Sequence, residues 1–292
     1  MSSTTCLQVA FVFVCQRGRL EIESLLLAAS LKKHLRGEFE MIAAIPSPTE
    51  RFGKLQPATV RSLRTMGVRL APLANTIIDE RPSCNPSDLL TNKIFCLRVP
   101  TIAEKLVFLD SDQLCRREFA PGEHLRLPLC ARRADFVSSR DVEEAWERIF
   151  HAVGEKPPHL RIRVPPPPNV TGSVVYAPPS FNSSLIAIDT SLAAEFSQLW
   201  EECFRRIERA GVMGHARYYQ EQASLAVAAH KSGIHYEMLD VNSINPYIAH
   251  YFRPERLQAD PKLLELARSL ARQQQGIDAV IRELPEWKWL NV

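Results

Sequence analysis

The chain reads as an α/β protein built on a mixed, mostly parallel central sheet flanked by helices. Three observations point there. Apolar runs of strand length recur through the first half, helical patterns separate them, and prolines punctuate the joins. Strands separated by helices need crossover connections, and crossovers make parallel neighbours.

Residues 7–14 read as the first strand. Their apolar run is too short to cross a bilayer and lacks the basic leader of a signal peptide. Residues 21–35 read as an amphipathic helix with Leu25, Leu26, Ala29 and Leu31 on its apolar face. A short strand over 41–45 is stopped by Pro46. Residues 57–66 form a helix opened by Pro57, where a missing N–H costs nothing. Val68–Leu73 is a strand, and a helix over 87–99 starts with Ser87 as its N-cap. Lys105–Leu109 is a buried strand. Residues 134–138 read as a further strand and 142–153 as a helix. Pro165-Pro-Pro-Pro168 can form neither helix nor central strand, so 156–168 reads as a surface excursion. Strand signals resume at 173–176 and 184–188, followed by helices over 191–209 and 219–231, a strand over 235–239 and a helix over 260–275. The expected organisation is a main domain over 1–255 and a helical extension over 256–292.

Bulk properties narrow the function. The 292 residues suffice for one large α/β domain or two small ones. A formal net charge of +3 is too small to make nucleic acid the main partner. The seven cysteines are scattered and show no CxxC, which suggests reduced thiols in the cytoplasm.

The chemistry concentrates at Lys105-Leu-Val-Phe-Leu-Asp-Ser-Asp112, where a buried strand ends on two carboxylates one residue apart. Ligands of open α/β sheets bind at the C-terminal ends of strands, and carboxylates crowded there would repel. A divalent cation would relieve Asp110 and Asp112 and could serve a phosphate. Ser180-Phe-Asn-Ser-Ser places a polar cluster just before a strand, and Asn182 could pair with sugar hydroxyls. Glu221 and Gln222 open an apolar helix, where the helix dipole alone also favours an acid. His250 could join the two aspartates in a manganese site, with Arg253 and Arg256 beyond it as phosphate-binding guanidiniums.

Taken in order, Asn92-Lys-Ile-Phe, Leu109-Asp-Ser-Asp112, Phe181-Asn-Ser-Ser-Leu, Glu221-Gln222 and His250-Tyr251 resemble the GT-A glycosyltransferases, and most of all family 8 and its relatives. The resemblance implies a GT-A type Rossmann-like nucleotide-binding domain over 1–255. It implies a metal, Mn2+ or Mg2+, held by Asp110, Asp112 and His250. It implies a donor site at Val14, Cys15, Gln16 and Arg17, with Lys93, Asp110, Ser111, Asp112 and Arg253 near the nucleotide diphosphate. Asn182, Glu221 and Gln222 would then stand by the transferred sugar or the acceptor. The chain departs from the family pattern at Ser184 (usually glycine) and at Glu221 (usually aspartate). It also lacks the basic H-x-x-G-x-x-K-type ending.

The expected reaction is transfer of a sugar from a nucleotide diphosphate sugar, UDP favoured, to a hydroxyl of a glycan or small molecule. Glu221 would be the base if the configuration inverts and would orient the sugar if it is retained. Two alternatives stay open: a sugar-phosphate nucleotidyltransferase, for which Cys15-Gln-Arg-Gly-Arg19 is a poor phosphate loop, and a non-catalytic binding protein on the same fold. The last helix, with Arg268 and Arg272, and the Trp287-Lys-Trp289 end suit either a peripheral membrane surface or packing on the domain. A homodimer is also allowed.

Overall fold

The computed structural model describes residues 9–81, 86–134, 142–164, 175–274 and 276–291. Its strands are β1 (Val9–Val14), β2 (Phe39–Pro46), β3 (Val68–Leu73), β4 (Lys105–Leu109), β5 (Gln113–Cys115), β6 (Leu129–Arg133), β7 (Ile162–Val164), β8 (Val175–Ala177), β9 (Phe181–Asp189), β10 (Tyr236–Leu239) and β11 (Ile248–His250). The helices that build or support the site are α1 (Arg19–His34), α2 (Pro57–Thr65), α3 (Asn92–Cys96), α4 (Val142–Ala152), α5 (Thr190–Ala210), α6 (Gln220–Lys231), α7 (Pro261–Gln273) and α8 (Ile277–Glu283).

Seven strands form one sheet in the order β10-β6-β9-β4-β1-β2-β3. Every pairing is parallel except those of β9, which runs antiparallel to both β4 and β6. The expected mostly parallel α/β sheet is therefore present, with one reversed strand. Strands β5 and β11 form a separate antiparallel pair, as do β7 and β8.

The period of two along β1 sorts its side chains between two cores. Val9, Phe11 and Phe13 join α1, α2, α7 and α8 on one face. Ala10 and Val12 join α3, α4, α5 and α6 on the other. Helices on both faces explain why β1 and, after Lys105, β4 are apolar rather than alternating. Each fully buried Leu, Ile or Phe there contributes roughly 1.5–3 kcal/mol.

Helix α1 differs from the amphipathic expectation, because every residue from Glu21 to Leu31 is buried. Its outer side is covered by α7 and α8, so it has no solvent face. The end of the chain belongs to the same core: Trp287 and Leu290 are fully buried in it. Trp287 is thus a packing residue, against the reading that gave both tryptophans to a lipid surface, while Trp289 is half-buried and stacks on it at 5.3 Å. Among the described residues no helix is long and apolar enough to cross a membrane.

Other elements also shift. The helix expected over 87–99 is two short pieces, Pro86–Leu89 and Asn92–Cys96, and Ser87 lies inside the first rather than at its N-cap. Pro86 takes the helix start. The polar cluster of Ser180-Phe-Asn-Ser-Ser is not a lead-in: Phe181, Asn182, Ser183 and Ser184 are already in β9. Its pairing to β6 shifts register between Ala131 and Arg132, opposite these polar residues. Asp260 caps α7, accepting hydrogen bonds from the N–H groups of Lys262 and Leu263. Most of the expected strand over 134–138 and the polyproline run at 165–168 lie outside the described residues.

Candidate active site

Strand β1 has β2 on one side and β4 on the other, so the chain reverses its direction of travel between β1 and β4. Open α/β sheets bind ligands at that reversal, beyond the carboxyl ends of the strands. Here Val14 closes β1, and its carbonyl accepts hydrogen bonds from Ser24 Oγ at 3.0 Å and Ser111 Oγ at 2.5 Å. One carbonyl thereby ties α1 to the turn that leaves β4.

That turn carries the two aspartates. Asp110 N–H and Gln113 Nε2 both donate to the Ser184 carbonyl, at 2.8 and 2.7 Å, which pins the turn to β9. Beyond it, β5 pairs with β11 in the register Gln113 to His250. The pairing brings His250 to Asp112, with Nε2 3.1 Å from Oδ1. Tyr251 N–H donates to the Asp112 carbonyl at 3.1 Å. Phe252 follows with φ 63°, a left-handed conformation that bulky residues rarely adopt. It turns its ring onto the His250 imidazole, centroids 3.7 Å apart, and Arg256 lies over the same Phe252 ring, 5.0 Å from its centroid.

One ligand atom each of Asp110, Asp112 and His250 lies within 4.8 Å of the others. The aspartate side chains keep 18% and 16% of their surface open, so the group is reachable from outside. Two carboxylates and an imidazole suit a manganese-type cation.

Lys93, brought by α3, donates to Asp110 Oδ2 at 2.8 Å and to Ser183 Oγ at 3.2 Å. Ser183 Oγ in turn donates to Glu221 Oε2 at 2.9 Å. Reversed β9 makes this chain possible, because its first residues lie at the carboxyl end of β4. Burial alone would lower the Lys93 pKa, but the Asp110 and Glu221 carboxylates override it and hold the ammonium above its ordinary value. Burial raises Glu221 to about 7 against the pull of Lys93 and the Ser183 bond. Burial also raises Asp110, helped by repulsion from Asp112 and only partly offset by Lys93. Asp112 goes the other way: its contact with His250 outweighs burial and lowers it.

The remaining expected residues fall around this group. Cys15 is fully buried, and burial pushes its thiol up to about 12, so it is no nucleophile. Gln16 keeps a buried amide oxygen without a hydrogen bond. Arg17 makes ion contacts to Glu21 at 3.7 Å and to Glu283 at 3.3 Å, linking the end of β1 to α8. Asn182 Oδ1 accepts from the Ser184 N–H at 3.0 Å, so half of its amide serves the strand itself. Gln222 is half-buried beside Glu221. Arg253 is exposed on a cleft of about 420 Å³ that it shares with Arg19, Pro254, Glu255, Gln258 and Glu286.

Four site-building residues escaped the sequence reading: Ser183, Glu21, Glu23 and Arg19. Glu21 accepts from Gly18 N, Gln56 N and Thr59 Oγ1 at 2.7–3.0 Å and so fixes the loop after β1. Glu23 is fully buried in α1, and repulsion from Asp112 adds to burial in raising its pKa. A signal existed: two acids in the run Leu20-Glu-Ile-Glu-Ser-Leu, inside an otherwise apolar helix, cannot both find solvent.

The charges support a cation. Among the described residues, Asp110, Asp112, Glu23 and Glu221 interact here with Lys93, Arg19 and His250. The crowding of these carboxylates raises Glu23 and Asp110, and a divalent ion bound among them would relieve that repulsion. His250 Nδ1 is also buried without a hydrogen bond, so one imidazole nitrogen is left over from the contacts that hold the ring.

A family model described as a Rhodobacterales glycosyltransferase domain matches residues 11–233, well over half of the chain. A search of curated proteins finds no match.

Proposed function

We propose a reaction for a chain that belongs to the Rhodobacterales glycosyltransferase domain family: metal-dependent transfer of a sugar from a nucleotide diphosphate sugar, UDP favoured, to an acceptor hydroxyl. The observation that carries it is the convergence of Asp110, Asp112 and His250 at the carboxyl ends of β1 and β4. The sheet order and the sequence of motifs support a GT-A frame related to family 8. The five described cysteines are buried free thiols, which suits a reducing compartment such as the cytoplasm.

In this reading Asp110, Asp112 and His250 hold Mn2+ or Mg2+. An ion held there would supply charge neutralisation for a leaving diphosphate. Lys93 holds Asp110 in place and adds positive potential beneath the phosphates. Arg253, exposed on the cleft, approaches the diphosphate from outside, and the end of β1 from Val14 to Arg17 receives the nucleoside. Asn182 and Gln222 contact sugar or acceptor hydroxyls. Glu221 lies behind Ser183 and Lys93 and is only 2% exposed, which supports an orienting role over that of a base touching the acceptor.

The test is a thermal-shift panel of uridine, guanosine, cytidine and thymidine diphosphates with and without Mn2+. A ligand at a hundred times its Kd adds about 2.7 kcal/mol, a shift of a few degrees. We expect UDP with Mn2+ to give it, and the Asp112→Ala variant to lose it. Equal shifts with and without metal, or none, would count against the reading.

A further inference from the structure

We infer that Glu23 is a positioning residue of the cation site, its carboxylate taking the hydrogen bonds of cation-bound water rather than touching the ion. The inference rests on the proposed cation at Asp110, Asp112 and His250 and names a fourth side chain that serves it.

The placement comes from shared anchors. Ser24 and Ser111, the chain neighbours of Glu23 and Asp112, hydrogen-bond to the same Val14 carbonyl. Further along α1, Ser30 Oγ accepts from the Cys115 N–H at 2.9 Å, so α1 lies against β5 along its length. Glu23 is 0% exposed, yet neither carboxylate oxygen has a hydrogen bond. Its ion contact is Arg19 Nε at 3.5 Å, too long for a hydrogen bond, on a side chain that is 48% exposed. An ionised buried carboxylate with no hydrogen bond on either oxygen is costly, and a partner from outside the chain would offset that cost. Tyr251, which follows His250, has a buried hydroxyl in the same condition and also interacts with Glu23 and Asp112.

Glu23 does not belong to the group whose ligand atoms lie within 4.8 Å of one another. Direct ligation is therefore not its role. Mg2+-type ions held by one or two carboxylates keep several waters, and those waters need acceptors. Glu23 supplies two.

The test uses the full chain. Mn2+ affinity is read from the electron paramagnetic resonance signal of free Mn2+, for wild type, Glu23→Gln, Glu23→Asp and Asp112→Asn, with melting curves in metal-free buffer. Glu23→Gln keeps the shape and removes the charge. We expect it to melt at or above the wild-type temperature without metal, yet to bind Mn2+ about 10- to 100-fold more weakly, as outer-shell substitutions do. Glu23→Asp, with the charge drawn back by one methylene, should fall between. Affinity within threefold of wild type for Glu23→Gln would overturn the inference and leave Glu23 a structural acid. If Glu23→Gln does not fold, Glu23→Asp decides by the same threshold. Failure of the wild type itself to bind Mn2+ removes the cation site, and the inference with it.

Discussion

Ser183 Oγ donates to Glu221 Oε2 at 2.9 Å, and through it helix α6 is wired to Lys93 and the end of β4. The bond stabilises an ionised Glu221, yet burial wins and the carboxyl titrates near 7, far above its ordinary 4.5.

That imbalance makes stability depend on pH. A carboxyl with a raised pKa binds its proton more tightly in the folded chain, so stability falls as pH rises from about 4.5 to about 7 and is flat above that. The loss amounts to about 3 kcal/mol. Urea unfolding of wild type and Glu221→Gln in metal-free buffer should therefore show a difference that declines across this window. A constant difference would show that Glu221 titrates as it does in the unfolded chain.

Lys93→Met leaves Asp110 and Glu221 facing each other without their shared cation. Breaking a buried pair in this way typically costs 3–5 kcal/mol. Because the variant has one more uncompensated negative charge, Mn2+ should stabilise it more than it stabilises wild type. Equal metal-induced shifts in melting temperature would contradict that electrostatic account.

Trp287 is 0% exposed at the far end of the chain. Trp287→Ala is expected to cost about 3–5 kcal/mol, the usual toll of emptying a large core position. Chemical denaturation measures it. A loss below 1 kcal/mol, together with lost binding to anionic liposomes, would instead favour the lipid-surface reading of this segment.

The sheet was legible because its strands announce themselves. Val9-Ala-Phe-Val-Phe-Val14 and Lys105-Leu-Val-Phe-Leu109 are buried on both faces, and such runs have no other stable use in an α/β chain. Asp110 and Asp112 were legible because acids abutting such a run need a reason. His250 was legible only through the order of motifs, since its contact with Asp112 depends on the β5–β11 register, and strands of three residues leave little trace. Ser183 was unreadable for a related reason: a serine beside Asn182 looks like turn chemistry, and only a bulged, reversed strand gives it another purpose. Ser87 misled because a good capping residue stood where Pro86 had already begun the helix. Glu23 was hidden by α1, whose outer side seemed wet until α7 and α8 covered it.

Strand β9 hydrogen-bonds its neighbours on both sides while presenting Ser183 to Lys93. Ser183 lies where the register to β6 jumps from Ile186 to Asn182, so deleting or inserting a residue between Asn182 and Leu185 would change which side chain meets Lys93. The sheet could survive such an edit through its remaining pairings, whereas the link from Glu221 to Asp110 could not. Spacing at this spot is thus as constrained as the identity of Ser183, because the link needs both a hydroxyl and the place it occupies.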